Sequence, residues 1–258
     1  MIRYAILGAV QGLTEFLPIS SSGHLVLAQR LLDLDPPGVL LEALLHLGTL
    51  AAVILVFRRD LWEMAKSLTP KGTIDGRKEI GLILAGTIPI VVLGLLLRGQ
   101  MESVFASLTI VGAGLLLTGL LLALTGIVRY RVERNRARFV DALIIGLAQA
   151  VALFPGVSRS GVTISAGRFV GMTPRGAARF SFLLAVPALF GAGLLSLWDA
   201  VSVGTEGAPW LGLFVGTLTA FVVGFGAVKL LLALVSRGRF WVFSIYCVIV
   251  GVVVLVVA

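Results

Sequence analysis

Six apolar stretches, near residues 39–57, 80–97, 104–128, 177–198, 210–234 and 240–257, decide what this chain can fold into. Each is long enough for a helix to cross a bilayer, which takes about 20 residues. No polar run between them exceeds about twenty residues, too short to build a soluble core. A mean hydropathy of +1.06 with 13% charged residues agrees. The expectation is an all-α polytopic membrane protein. The net charge of +8 does not point to nucleic acid, because the basic residues sit in short loops between apolar runs. They read as topology signals and contacts to lipid headgroups. Cys247, the single cysteine, excludes an internal disulfide and a cysteine metal cluster. The apolar N-terminus carries Glu15 and lacks a small-residue cleavage site, so it reads as retained.

Two shorter apolar segments, 2–17 and 139–154, behave differently. Each runs into a proline and a Ser/Gly cluster, then into a second short amphipathic piece. Pro18 and Ser20 to Gly23 break the first; Pro155, Gly156 and Ser158 to Gly161 break the second. Broken half-helices of this kind read as re-entrant hairpins, tolerated where protein or water covers the irregular backbone.

Charge placement gives an orientation. The 58–78 loop carries Arg58, Arg59, Lys66, Lys71, Arg77 and Lys78, and the 129–138 loop carries Arg129, Arg131, Arg134, Arg136 and Arg138. Two spans separate the loops, so both fall on one face, which the positive-inside rule makes cytoplasmic. Arg168, Arg175, Arg179, Arg237 and Arg239 continue that face; Asp33, Asp35, Asp199 and Glu206 mark the other. Both termini then lie outside.

At an offset of 138 residues, Gly8, Gln11, Phe16, Ser20, Ser22, Gly23, Ala28 and Arg30 fall on Gly146, Gln149, Phe154, Ser158, Ser160, Gly161, Ala166 and Arg168. Later spans keep the register. An odd number of spans separates the copies, so the reading is an inverted-topology repeat: six transmembrane helices plus two re-entrant hairpins in one membrane domain. The halves are approximately 1–128 and 139–258, joined by the basic loop 129–138. Folds of this kind build their sites where the broken helices meet near the midplane.

The chemistry differs between the copies. Gln11 and Glu15, four apart, share a helix face. They form either an oxygen site for a hard divalent cation, Mg2+ or Ca2+, or a polar pair satisfied by backbone. Ser20, Ser21, Ser22 and Gly23 lie at the break, where a helix N-terminus can be capped or can bind an anion. His24 follows. In the second copy Ser158, Arg159, Ser160 and Thr163 occupy the break. Arg159 cannot shed its charge and needs an anion: Glu15, phosphate, or each in turn. Carboxylate, hydroxyls and imidazole on one side, with guanidinium and hydroxyls on the other, fit phosphoryl transfer. Ser21 with His24 as base, or His24 itself, is the nucleophile; the residues alone do not choose. Glu42, His46 and Lys229 are further polar residues in apolar runs, read as supporting or structural.

Gln11-Gly-Leu-Thr-Glu15, Pro18-Ile-Ser-Ser-Ser-Gly-His24, Pro155-Gly-Val-Ser-Arg-Ser-Gly-Val-Thr163 and Phe180-Ser-Phe-Leu-Leu-Ala-Val-Pro187 resemble the undecaprenyl-diphosphate phosphatase family, the bacitracin resistance proteins. The resemblance runs end to end. It implies a divalent-cation-dependent hydrolase of the bacterial plasma membrane that converts undecaprenyl diphosphate to the monophosphate, recycles the carrier for peptidoglycan and lowers bacitracin sensitivity. It also implies an inverted-repeat, dimeric fold, with Glu15 as the metal or proton partner and Ser21 and His24 as the catalytic pair. Ser158, Arg159 and Thr163 would bind the diphosphate, with Ser20, Ser22 and Ser160 beside them. Gln11 stands at the first acidic position, which leaves one carboxylate in that element. The alternative function is a polyprenyl-phosphate flippase using the same site; it needs the arginine but no nucleophile.

Overall fold

The computed structural model describes residues 1–32, 39–97, 99, 104, 107–128, 133–203 and 208–258, with backbone only at Arg30, Val39 and Val203. Asp33, Asp35, Arg129, Arg131 and Glu206, expected above to mark the two faces, lie outside the described residues, as does the Arg30 side chain.

The described chain is helical: α1 (Ile2–Phe16), α2 (Ser21–Leu31), α3 (Val39–Val56), α4 (Arg58–Ser67), α5 (Ile74–Leu97), α6 (Leu108–Thr125), α7 (Phe139–Val151), α8 (Arg159–Phe169), α9 (Pro174–Val203), α10 (Trp210–Ser236) and α11 (Phe243–Val257), the last entered through a 3-10 turn at Phe240–Val242. Among these, α5, α6, α9, α10 and the segment ending in α11 are long and apolar enough to cross a membrane. The α3–α4 pair, bent by 76°, makes a sixth if counted as one span. Their outer faces stay apolar: Ile88, Leu96, Val222 and Val253 are among many large side chains left exposed. Helices apolar all round suit hydrocarbon as their surrounding medium, and the chain is a multi-pass membrane protein.

Five of the six expected spans reappear as α5, α6, α9, α10 and the segment ending in α11, and 39–57 reappears as α3, a span only when counted with α4. α4 was not foreseen, because Arg58–Ser67 is polar and was read as loop. It is an amphipathic helix that buries Met64 and Ser67. Arg77 closes its end, donating from Nε to Ser67 O at 2.8 Å and from Nη2 to Thr69 O at 3.1 Å, which satisfies carbonyls a helix end leaves bare.

α1 packs along α10 and α7 along α5, while α3 lies between α9 and α10, and α6 against α11. Small residues permit the close approaches. A Cβ on Gly8 would stand 2.2 Å from Gly216 O, and one on Gly146 would stand 2.4 Å from Gly86 O. Beneath the first break, Phe16 meets Phe182 edge-on at 5.9 Å, and Phe182 meets Phe57 at 5.5 Å, an aromatic core linking α1, α3 and α9.

Basic side chains of the 58–78 and 133–138 segments gather at one end of the bundle. Arg136 meets Asp75 at 2.5 Å, Arg134 meets Asp141 at 2.5 Å, Arg168 meets Glu133 at 2.7 Å, and Arg179 pairs with both Asp60 and Glu79. The expectation that these segments share a face with Arg168 and Arg179 therefore holds in the contacts.

Candidate active site

The first break spans Leu17 to Ser20. Ser20 has φ 71°, the left-handed region that non-glycine residues seldom occupy. Its side chain compensates by capping α2: Ser20 Oγ accepts from Gly23 N at 3.3 Å. In the second break Ser158 Oγ accepts from Gly161 N at 3.2 Å. Each cap serine also pairs with the serine two positions on, Ser20 with Ser22 at 3.3 Å and Ser158 with Ser160 at 3.2 Å. Gly156, φ 87°, has Val111 O where a Cβ would sit, at 2.0 Å, so only glycine fits that turn. The turns are pinned from neighbouring helices. Thr118 Oγ1 donates within 3.3 Å of Gly156 O and accepts from Ser158 N at 3.0 Å; Cys247 Sγ donates to Pro18 O at 3.3 Å.

α2 therefore begins at Ser21 and α8 at Arg159, and both first residues reach Glu15. Ser21 Oγ donates to Glu15 Oε2 at 2.6 Å, and Arg159 Nη2 donates to Oε1 at 2.7 Å. Gln11 Nε2 donates to Oε2 at 3.1 Å. The carboxylate is 5% exposed and the guanidinium 14%. The first residues of two helices thus converge on one anion, whose charge Arg159 offsets. Motifs far apart in sequence are joined at a single side chain.

Four of the remaining expected residues sit beside this cluster as the caps and their partners: Ser20, Ser22, Ser158 and Ser160. Thr163 lies one turn along α8, donating to Arg159 O at 2.7 Å and paired with Ser181 Oγ at 2.6 Å. It buttresses the turn that carries Arg159. His24 is engaged at both ring nitrogens, Nδ1 with Ser20 O at 2.7 Å and Nε2 with Tyr246 Oη at 2.6 Å.

The sequence reads His46 as supporting or structural, quotes Ser181 only within Phe180–Pro187, and gives Tyr246 no role. His46 Nε2 is 4.0 Å from Glu15 Oε2, while its Nδ1 is 2.8 Å from Glu42 O. Its signal was available: an imidazole in an apolar run on α3. Lys229 Nζ instead stacks over Phe225 at 4.1 Å, and Glu42 accepts from Gln29 at 3.3 Å.

A buried carboxylate met by a hydroxyl and a guanidinium from the first residues of two helices, with the His46 imidazole 4.0 Å away, marks an integral membrane protein with a charged site inside its helical bundle. The chain matches the family of the bacitracin resistance protein BacA over residues 4–253 and belongs to it. It is similar to undecaprenyl-diphosphatases from several organisms. One from Desulfosudis oleivorans is 45% identical, covering 98% of this chain and 97% of that protein. One from Korarchaeum cryptofilum is 47% identical over 97% and 96%, and one from Halothermothrix orenii is 42% identical over 100% and 98%.

Proposed function

We propose that this chain is an undecaprenyl-diphosphate phosphatase, releasing phosphate from the lipid diphosphate to leave the monophosphate. The observation that carries the reading is the Glu15 cluster, in which Ser21 and Arg159 reach one carboxylate from opposite halves of the chain. The family and the names of its relatives supply the substrate class. They speak for hydrolysis over flipping, and with it for roles in envelope synthesis and bacitracin resistance.

In this reading Arg159 exchanges Glu15 for a phosphate oxygen, since its planar fork suits both. Glu15, released, takes the Ser21 proton that already points at it. Ser21 Oγ attacks the terminal phosphorus, the O–P bond to the lipid phosphate breaks, and the lipid monophosphate leaves. Water then hydrolyses the phosphoserine, with His24 as the second base at the site. Ser20, Ser22, Ser158 and Ser160 offer hydroxyls around the phosphates.

A divalent cation fits as a cofactor. Gln11 Oε1 is buried without a hydrogen-bond partner beside Glu15, so Gln11 and the Glu15 oxygen that Arg159 releases would hold Mg2+ or Ca2+, leaving Oε2 to take the Ser21 proton. Among the described residues, no group of three or more His, Cys, Asp or Glu could hold a metal, so phosphate and water oxygens would complete the shell. Bound there, the cation would neutralise phosphate charge.

The finer architecture belongs to the same proposal. The matched caps and serine pairs at Ser20 and Ser158 support an inverted repeat of two halves, 1–128 and 139–258, each opening with a re-entrant hairpin. So does the parallel pairing of α1 with α10 and of α7 with α5. The basic end then faces the cytoplasm, the site opens outward in the plasma membrane, the termini lie outside, and the chain pairs as a homodimer.

Purified protein in detergent with Mg2+ or Ca2+ should release phosphate from a polyprenyl diphosphate. His24→Ala and Arg159→Lys should each reduce kcat by about 100-fold or more. A phosphoryl group trapped by rapid quench should map to Ser21. Normal turnover by both variants would remove the reading.

A further inference from the structure

We infer that Tyr246, on α11, is a positioning residue that, together with Ser20, fixes the tautomer and aim of His24. The rate effect rests on the phosphatase reading; the tautomer does not.

The argument begins at the other ring nitrogen. Ser20 O can only accept, so the contact at 2.7 Å places a hydrogen on His24 Nδ1. The neutral ring then carries its lone pair at Nε2, which lies 2.6 Å from Tyr246 Oη. The phenol is the donor. The two rings also stack, with centroids 5.7 Å apart and planes 16° apart. His24 is therefore held by two hydrogen bonds and a ring face.

Both holders show signs of being built for the task. Ser20 adopts φ 71°, a conformation costly at a non-glycine residue, while it both caps α2 and presents its carbonyl to His24. Tyr246 is followed by Cys247, which donates to Pro18 O at 3.3 Å. Consecutive residues of α11 thus grip the two sides of one turn, and α11 in turn lies along α6. Tyr246 remains 42% exposed, so its hydroxyl can yield Nε2 to an incoming phosphate oxygen or water. Nε2 is the ring atom this arrangement keeps free of hydrogen and ready to accept a proton.

The chain has only two histidines, so ring nitrogens of 15N-histidine protein give two sets of signals, separated by a His46→Gln control. The ring that remains in His46→Gln, that of His24, should be protonated at Nδ1 with a hydrogen-bonded, unprotonated Nε2. In Tyr246→Phe, which keeps the stacked ring and the Ser20 bond, that Nε2 signal should move to the position of an unbonded nitrogen. Phosphate release should fall about 10- to 100-fold in kcat, the cost of losing a partner that orients a working imidazole. KM should change by less than about twofold. An unaltered His24 signature in Tyr246→Phe would overturn the inference, whatever the rate. So would wild-type kcat. If the variant does not accumulate, 3-fluorotyrosine incorporated in place of the three tyrosines makes a stronger donor. It should shift the same Nε2 signal, and no shift would count against the inference. If wild type releases no phosphate, the phosphatase reading fails while the tautomer measurement still decides on Tyr246.

Discussion

At the scale of single residues, the Glu15–Arg159 pair poses a question of cause. A carboxylate and a guanidinium this deeply buried can be a structural brace, since removing one partner of a buried pair costs about 3–5 kcal/mol. They can also be the resting state of a site that trades Glu15 for phosphate. The two are separable. Glu15→Gln should lower thermal stability in detergent and reduce phosphate release by about 100-fold or more. Glu15→Gln combined with Arg159→Gln removes both charges and should recover stability to within about 1 kcal/mol of wild type while activity stays lost. A double variant with full activity would make the pair a brace alone. These residues were legible in the sequence because ionisable groups and serine clusters interrupt runs made for lipid. Tyr246 was not legible: a tyrosine in an apolar helix is ordinary, and its partner lies 222 residues away. His46 was visible, but only the fold brings α3 to within 4.0 Å of Glu15.

At the scale of elements, apolar length predicted helices well and helix contacts poorly. Spans such as α10 and α11 follow from hydropathy, and the breaks follow from Pro, Ser and Gly. α4 escaped because its sequence is polar, and its status as a helix depends on burying Met64 and on the Arg77 bonds to its end. The pairing of α7 with α5 depends on missing side chains. A Cβ at Gly146 would meet backbone of Gly86 at 2.4 to 2.9 Å, and backbone cannot rotate away. Gly146→Ala should therefore push the helices apart and cost about 1–3 kcal/mol of stability, seen as a lower unfolding temperature in detergent. Gly81→Ala, on the same α5 with nothing within 4 Å of the added carbon, is the control and should be neutral or slightly stabilising, since alanine suits a helix better than glycine. Equal loss at both positions would mean that the close approach of α7 to α5 does not set the effect.

At the scale of the whole molecule, the proposed inverted repeat has the two breaks entering from opposite directions. Within the bundle α1 runs alongside α10 and α7 alongside α5, and the Arg179, Arg136 and Arg168 pairs gather at one end. If that end is cytoplasmic, α1 starts at the outer surface and α7 at the inner one. Ile2 and Val140 are equivalent under the 138-residue offset, and both are exposed at the start of their helices. Cys247 is buried, so a membrane-impermeant maleimide should leave it untouched. A cysteine placed at Ile2 should then label from outside intact cells, and one placed at Val140 only after the membrane is opened. Labelling of both from one side would deny the opposed orientation. Glu15 and Arg159 would then have to be brought together by two segments entering in parallel, an arrangement that gives no account of the matching caps at Ser20 and Ser158.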